Sequence, residues 1–284
     1  MVNCNLQYIR AFDLGGNGLK TALLSYDKSA NEMKLVSSQF QLGKCPANKK
    51  VYDWAREQIK TIGQGDLDAE VKKGYLFGFS LAGLDKLSEK RVITTDMAKV
   101  FKLPADKVQS IHDGFAHLLA SVKMVKNLPK GRIWNFSIGT GVGLGFTDTK
   151  HKLYTNDELK RFFGGIDAWE ALEPTTKKEV WEACSSKEGF DKIVSDVTYA
   201  VNDKAFELFA ERWKAFLKEQ VIKRSKTFKR QWGKPKAIVF TGGHIEHHGD
   251  RLIKELRKRH LQVKMFEGPK NAGLFGAAWN VVRI

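Results

Sequence analysis

Two glycine-rich stretches of the 284-residue sequence combine bare backbone with polar groups in the way that phosphate binding requires. The more regular is Ser137-Ile138-Gly139-Thr140-Gly141-Val142-Gly143-Leu144-Gly145, which follows an apolar run over 133–136. Glycine has no Cβ to hold a ligand off, so a strand entering a Gly-Thr-Gly turn brings N–H donors and a hydroxyl close to phosphate oxygens. The dinucleotide fingerprint needs a helix directly after its glycines. Here a short alternating run over 144–146 follows, so the spacing predicts a hairpin, and an ordinary unliganded glycine hairpin has the same sequence. The second stretch is Asp13-Leu14-Gly15-Gly16-Asn17-Gly18-Leu19-Lys20, between strands predicted over 8–14 and 21–25. A carboxylate at a strand end beside a Gly-Gly turn can hold a hydrated Mg²⁺, while the turn's N–H groups and Lys20 face phosphate oxygens. A tight Gly/Asn hairpin with a surface lysine reads identically.

Two further loops could carry chemistry. A strand predicted over 75–81 runs into Ala82-Gly83-Leu84 at its carboxyl end, the place where open α/β sheets bind ligands. A strand over 108–111 is followed by His112-Asp113-Gly114 and an apolar helix over 115–125. Asp113 is thereby delivered to a helix start, where an aspartate serves either as N-cap or as a proton acceptor within a site.

The elements that must position these residues follow from periodicity. A third strand is predicted over 35–42 and a crossover helix over 51–62, where Val51, Trp54, Ala55, Ile59 and Ile62 share one face. A polar segment over 152–165 precedes helical stretches over 166–183 and 196–226. The second of these carries Ala205, Phe206, Phe209, Trp213, Phe216, Leu217 and Val221 at three- and four-residue spacing, a core stripe. A strand over 236–240 ends in Thr241-Gly242-Gly243-His244-Ile245, and a basic helix continues to Arg259. The last strand is predicted over 263–266, and Asn271-Ala272-Gly273-Leu274-Phe275-Gly276-Ala277-Ala278 opens a closing helix. Each half begins with a glycine hairpin and continues with strands and crossover helices. The pattern predicts an α/β chain of two similar halves facing across a cleft, with both hairpin tips pointing into it.

Composition bounds the remaining choices. A hydrophobic fraction of 42% and seven tryptophans describe a globular chain long enough for two domains. The first residues have no apolar core of a signal peptide, and no apolar run reaches the ~18 residues of a membrane span. Cys4, Cys45 and Cys184 are odd in number and far apart, which fits neither a disulfide framework nor a zinc site. A soluble, cytoplasmic protein is expected. The formal charge of +16 is uneven: over 214–236, nine basic residues stand against the single Glu219. Arg251, Lys254, Arg257, Lys258 and Arg259 form a second cluster. Such density attracts polyanions, although a solvated helix face has the same composition.

Taken together, the motifs resemble those of the actin/hexokinase/Hsp70-type kinases, and more narrowly the ROK sugar-kinase family, over nearly the full length and in family order. Asp13-Leu14-Gly15-Gly16 is similar to the first phosphate motif, with Asn17 where Thr or Ser is usual. Ser80-Leu81-Ala82-Gly83 resembles the substrate loop without its proline, and His112-Asp113 resembles the Asn-Asp pair whose aspartate is the catalytic base. Gly139-Thr140-Gly141-Val142-Gly143 matches the second phosphate motif, Thr241-Gly242-Gly243 resembles the adenosine motif, and 271–278 matches the C-terminal signature. The Cys-rich zinc segment of most members is absent, as in the polyphosphate glucokinase branch, whose Gly-x-Lys ending is similar to Gly18-Leu19-Lys20. That branch's Glu-x-Gly-His appears as Glu158-Leu159-Lys160-Arg161, keeping the acid and losing the histidine.

The resemblance implies an α/β fold of two ribonuclease-H-like (actin-like) domains facing across a cleft: 1–112 joined by 271–284, and 113–270. It implies Mg²⁺-dependent transfer of a phosphoryl group from ATP, or polyphosphate, to a hydroxyl of a hexose such as glucose. Asp113 would be the catalytic base and Asp13 the holder of Mg²⁺ through water. Gly15, Gly16, Asn17, Lys20, Gly139, Thr140 and Gly141 would bind phosphate, and Gly242, Gly243 and His244 the nucleotide. Ala82, Gly83, His112, Asp113 and Glu158 would contact the sugar. Members of the family often form homodimers and no structural zinc is expected; by its charge the basic face could take polyphosphate, and no transmembrane segment and no DNA-binding domain are expected. The competing expectation is a degenerate kinase fold that binds polyphosphate, RNA or membrane without turnover.

Overall fold

The computed structural model describes residues 5–15, 18–42, 46, 49, 53–55, 57–58, 67–81, 87–138, 142–147, 203–223, 235–259 and 263–282. The chain divides into two compact units, Met1–Ala116 with Gly273–Ile284, and His117–Ala272.

Among the described residues the first unit is built on a five-stranded sheet ordered β3-β2-β1-β4-β5. β1 (Leu6–Gly15), β2 (Gly18–Asp27) and β3 (Glu32–Leu42) form an antiparallel meander, and β4 (Leu76–Leu81) and β5 (Val108–His112) add in parallel beside β1. The first hairpin closes on the pair Gly15↔Gly18. At the second turn the Asp27 carboxylate accepts the N–H groups of Ser29 and Ala30, and Asn31 takes a φ of 50°. Asparagine tolerates that left-handed conformation, and the hydrogen bonds from Ser29 and Ala30 hold Asp27 below the usual carboxylate range.

Alternation along the strands sends Phe12, Leu14, Phe77, Phe79 and Leu81 to one face, where they pack against Met97, Ala98 and Phe101. Phe12 and Phe79 stack with ring centroids 4.6 Å apart. Each such fully buried ring contributes on the order of 1.5–3 kcal/mol. Met97, Ala98 and Phe101 belong to α2 (Leu87–Phe101), which the sequence pattern does not predict. Its β-branched run Val92-Ile93-Thr94-Thr95 favours extended backbone, and burial of its last two turns against the sheet overrides that preference. α1 (Leu67–Lys72) is fixed to β1 by the buried pair of Arg10 and Glu70, with Arg10 Nε donating to both carboxylate oxygens at 3.1 Å.

The opposite face is covered by α6 (Ala272–Val281), which approaches closely through small residues. A Cβ on Gly78 would lie 2.4 Å from the carbonyl oxygen of Ala277, and one on Gly276 would lie 1.9 Å from that of Ala116. Helix backbone therefore lies against strand and helix backbone, and the glycines of the closing segment are the reason.

The second unit repeats the pattern. β6 (Ile133–Ile138) and β7 (Val142–Phe146) form an antiparallel hairpin, and β8 (Ala237–Thr241) and β9 (Lys264–Glu267) add in parallel, giving the order β7-β6-β8-β9 among the described residues. Each unit thus has a hairpin whose first strand also pairs in parallel with a later strand (β1 with β4, β6 with β8), the ribonuclease-H-like arrangement.

Among the described residues the helices of this unit are α3 (Asp113–Met124), which crosses the division at 116, α4 (Asp203–Phe216) and α5 (Gly243–Lys258). α4 continues as a wider π-helical stretch, Leu217–Lys223, instead of ending or remaining α-helical to 226. Of the predicted stripe, Trp213, Phe216 and Leu217 are core, and Trp213 and Phe216 meet the ring of Phe136 edge-on at centroid distances of 5.3 and 5.8 Å. α4 and α5 are clamped by Arg259, which donates from Nε to Glu211 at 2.6 Å and from Nη1 to Glu255 at 2.7 Å. Lys258 and Arg259 together hold the Glu255 carboxyl below its ordinary range. The helix expected over 166–183 and the polar segment over 152–165 lie outside the described residues. No helix among the described residues is long and apolar enough to cross a membrane.

Candidate functional site

In the first unit three parallel strands end side by side. Asp13 on β1 stands opposite Ser80 on β4, and Leu81 opposite His112 on β5. With strands about 4.8 Å apart, β1 and β5 are separated by roughly 10 Å. Asp13 and Asp113 therefore flank one end of a single sheet, with the end of β4 between them.

The Asp13 carboxylate is fixed from two sides. Its Oδ1 accepts a hydrogen bond from Ser80 Oγ at 2.8 Å. On the other side lies the first turn of α6, where a Cβ on Gly273 would come 2.4 Å from Oδ2. Only glycine leaves the carboxylate in place, and the positive end of the helix dipole favours its charge. Lys20, half-buried, stands opposite Asp13 across the hairpin. Among the described residues no three His, Cys, Asp or Glu side chains group to bind a metal directly. A half-buried carboxylate beside a glycine cradle suits a hydrated cation held through water, the role expected of Asp13.

Asp113 is the first residue of α3, two residues earlier than the helical pattern predicts. Its Oδ1 accepts the N–H of Gly114 at 2.6 Å. An N-cap carboxylate would engage an N–H two or three residues further on, so the observed bond is not that of a cap. Gly114 N–H also approaches His112 Nδ1 at 3.1 Å, and the imidazole lies 3.2 Å from Asp113 Oδ1. The His112 side chain is 12% exposed and that of Asp113 is 30% exposed, so the carboxylate remains accessible from solvent.

In the second unit the ends of β6 and β8 come together. Ser137 stands opposite Thr241. Gly242 has a φ of 96°, which favours glycine, and a Cβ there would lie 2.5 Å from the carbonyl oxygen of Ile138. The turn after β8 thus lies directly on Ile138, the last residue of β6. Gly243 opens α5 into clear space, with nothing within 4 Å of where a Cβ would be. The first N–H groups of a helix have no intrahelical partner and suit an anion or a polar ring. His244 is 3% exposed, its ring 5.2 Å from that of His248.

Of the sequence-predicted site residues, Asp13, Gly15, Lys20, His112 and Asp113 gather at the strand ends of the first unit, and Gly242, Gly243 and His244 at the β8–α5 turn of the second. Gly16, Asn17, Ala82, Gly83, Gly139, Thr140, Gly141 and Glu158 lie outside the described residues. Sequence reasoning overlooked Gly273 as the cradle of Asp13, and it overlooked Asn135. The signal for Asn135 was a lone amide between Trp134 and Phe136 in an apolar strand.

No protein-family model and no curated protein matches the sequence. Solved structures share its fold from end to end. An inorganic polyphosphate/ATP-glucomannokinase from Arthrobacter sp. strain KM superposes with a TM-score of 0.63 over 98% of this chain and 99% of that one, at 16% identity. A ROK-family glucokinase from Streptomyces griseus, in complex with glucose and AMPPNP, gives 0.60 over 98% and 100%, at 15% identity. A ROK-family transcriptional regulator, a homologue of the Escherichia coli MLC protein, gives 0.57 over 99% of this chain and 78% of that one, at 12% identity. The chain has the actin-like α/β fold of these proteins, and its expected resemblance to the ROK sugar kinases holds at the level of fold.

Proposed function

We propose that the chain is a ROK-type sugar kinase that transfers a phosphoryl group from ATP, or from polyphosphate, to a hydroxyl of a hexose such as glucose. The observation that carries this reading is the shared sheet edge. Two carboxylates, one cradled by Ser80 and Gly273 and one left accessible at a helix start, flank the end of β4 about two strand spacings apart. In this reading Asp113 accepts the sugar hydroxyl proton while the oxygen attacks phosphorus, and the bond from phosphorus to the leaving phosphate breaks. His112, Ala82, Gly83 and Glu158 orient the sugar. Lys20 and the backbone N–H groups of Gly15, Gly16, Asn17, Gly139, Thr140 and Gly141 receive charge developing on the phosphoryl oxygens. Gly242, Gly243 and His244 take the nucleotide. Asp13 would hold Mg²⁺ through water, and a bound Mg²⁺ neutralises charge on the donor phosphates.

The second reading, a kinase fold that binds polyanions without turnover, is supported by the charge of +16 and by the presence of a regulator among the structures of the same fold. One experiment separates them. Hexoses are screened with Mg²⁺ and either ATP or polyphosphate, and phosphorylated sugar is measured directly. Transfer from at least one donor is expected; polyphosphate binding with no sugar phosphate from either donor overturns the kinase reading.

A further inference from the structure

Asn135 is fully buried in the middle of β6, where an amide is costly unless both its ends are bonded. Both are. Its Oδ1 accepts from Ser121 Oγ on α3 at 2.8 Å, and its Nδ2 donates to Thr241 Oγ1 at the end of β8 at 3.0 Å. Thr241 Oγ1 in turn donates to the carbonyl of Phe136 at 3.4 Å. Ser121 shares its proton with the carbonyl of His117, 2.9 Å away. Each hydroxyl has a single proton, so the chain runs one way: Ser121, Asn135, Thr241, Phe136.

The third member of this chain, Thr241, is the residue before the Gly242-Gly243 turn. With its hydroxyl held, Thr241 directs its Cγ2 methyl at Gly268, where a Cβ would be 2.2 Å away. The next residue, Gly242, fits against Ile138 only because it too lacks a Cβ. Rotation of the Thr241 side chain would disturb a turn with no slack on either side. The turn presents the first N–H groups of α5.

We infer that Asn135 is a positioning residue, which through Thr241 sets the Gly242-Gly243 turn in the geometry that receives the nucleotide. It touches no substrate itself. That the turn receives a nucleotide rests on the kinase reading; the coupling of Asn135 to the turn rests on the hydrogen bonds alone.

The test uses the full chain with Thr241→Val, which keeps shape and loses the hydroxyl, and Asn135→Leu, which removes the amide. Thr241→Val guards against loss of folding in the more disruptive variant. Two readouts are taken: KM for MgATP against KM for glucose, and amide hydrogen exchange at Gly243 and His244 without ligand. The inference expects KM for MgATP to rise about tenfold, the effect of one buried hydrogen bond, with the glucose KM unchanged. It also expects amide exchange at Gly243 and His244 to accelerate by a similar factor while Met265 on β9 keeps its rate. A lower unfolding midpoint with the KM ratio and the exchange rates unchanged makes the network a packing device and overturns the inference. If the parent chain transfers no phosphate, the kinase reading fails, and the exchange rates still decide whether Asn135 sets the turn.

Discussion

At the scale of single residues, two aspartates at one sheet edge have different surroundings and therefore different uses. Asp13 is bonded to Ser80 and confined by Gly273, which suits a fixed charge. Asp113 accepts from Gly114 and keeps 30% of its side chain exposed, which suits a group that must gain and lose a proton. Asp113→Asn preserves the size and the Gly114 contact and removes only the proton acceptor. Turnover should fall by about 10²–10⁴-fold, the usual contribution of a general base. The thermal midpoint should barely move, because a partly exposed carboxylate with a neighbouring N–H contributes little to folding. Steady-state rates on the phosphorylated sugar, paired with a melting curve, check both; turnover equal to the parent's reassigns Asp113. Both aspartates were legible in the sequence because each follows an apolar strand and precedes a glycine. Ser80 Oγ and Gly273 were not legible as partners of Asp13, since the contacts join residues 67 and 260 positions away and no local pattern reports such pairings.

At the scale of elements, the hairpins, the parallel strands and the closing helix follow from alternating apolar runs broken by glycines, and the structure forms them within one to three residues of the predicted bounds. The helix Leu87–Phe101 escaped prediction because its β-branched run over 92–95 interrupts the helical pattern, and its buried end is marked only by the contact of Phe101 with Phe12 and Phe79. The glycines of α5 and α6 also look alike in sequence, yet their surroundings differ. At Gly276 an added methyl meets the Ala116 backbone at 1.9 Å, and neither the helix nor its neighbour is a flexible side chain that could yield. At Gly243 the same methyl meets nothing within 4 Å. Gly276→Ala should therefore destabilise the chain by about 1–3 kcal/mol or more, the range for overpacking. Gly243→Ala should be neutral or slightly stabilising, since alanine is preferred over glycine in a helix by about 1 kcal/mol. Chemical denaturation of the two variants beside the parent measures the contrast, and equal midpoints would show that α6 does not rest on Ala116 as closely as described.

At the scale of the whole molecule, the dominant property is charge. Half of the excess lies in 214–236, of which the described part is the end of α4 and the π-helical stretch, carrying Lys214, Lys218 and Lys223. Not all of the basic residues serve as a surface for ligands: Arg259 is bonded to Glu211 and Glu255, and Lys258 to Glu255, so these cations fasten α5 to α4 and to itself. The sequence showed the density of charge but not this division of labour, because the acidic partners lie up to 48 positions away. What is left of the positive field acts at long range on a polyanion and hardly at all on a neutral sugar. A chain of phosphates engaging several lysines displaces condensed counterions, so its affinity should fall steeply with salt, by about 10³-fold or more between roughly 50 and 200 mM for six or more contacts. The KM for glucose, which involves no such release, should stay flat over the same range. Polyphosphate should therefore compete with ATP at low salt and lose that competition as salt rises, which a titration of inhibition against ionic strength at fixed glucose measures directly. Inhibition that is indifferent to salt would locate polyphosphate binding in short-range contacts at the phosphate motifs, with no part for the basic segment; a glucose KM that moves in step with it would mean that salt acts on the fold itself.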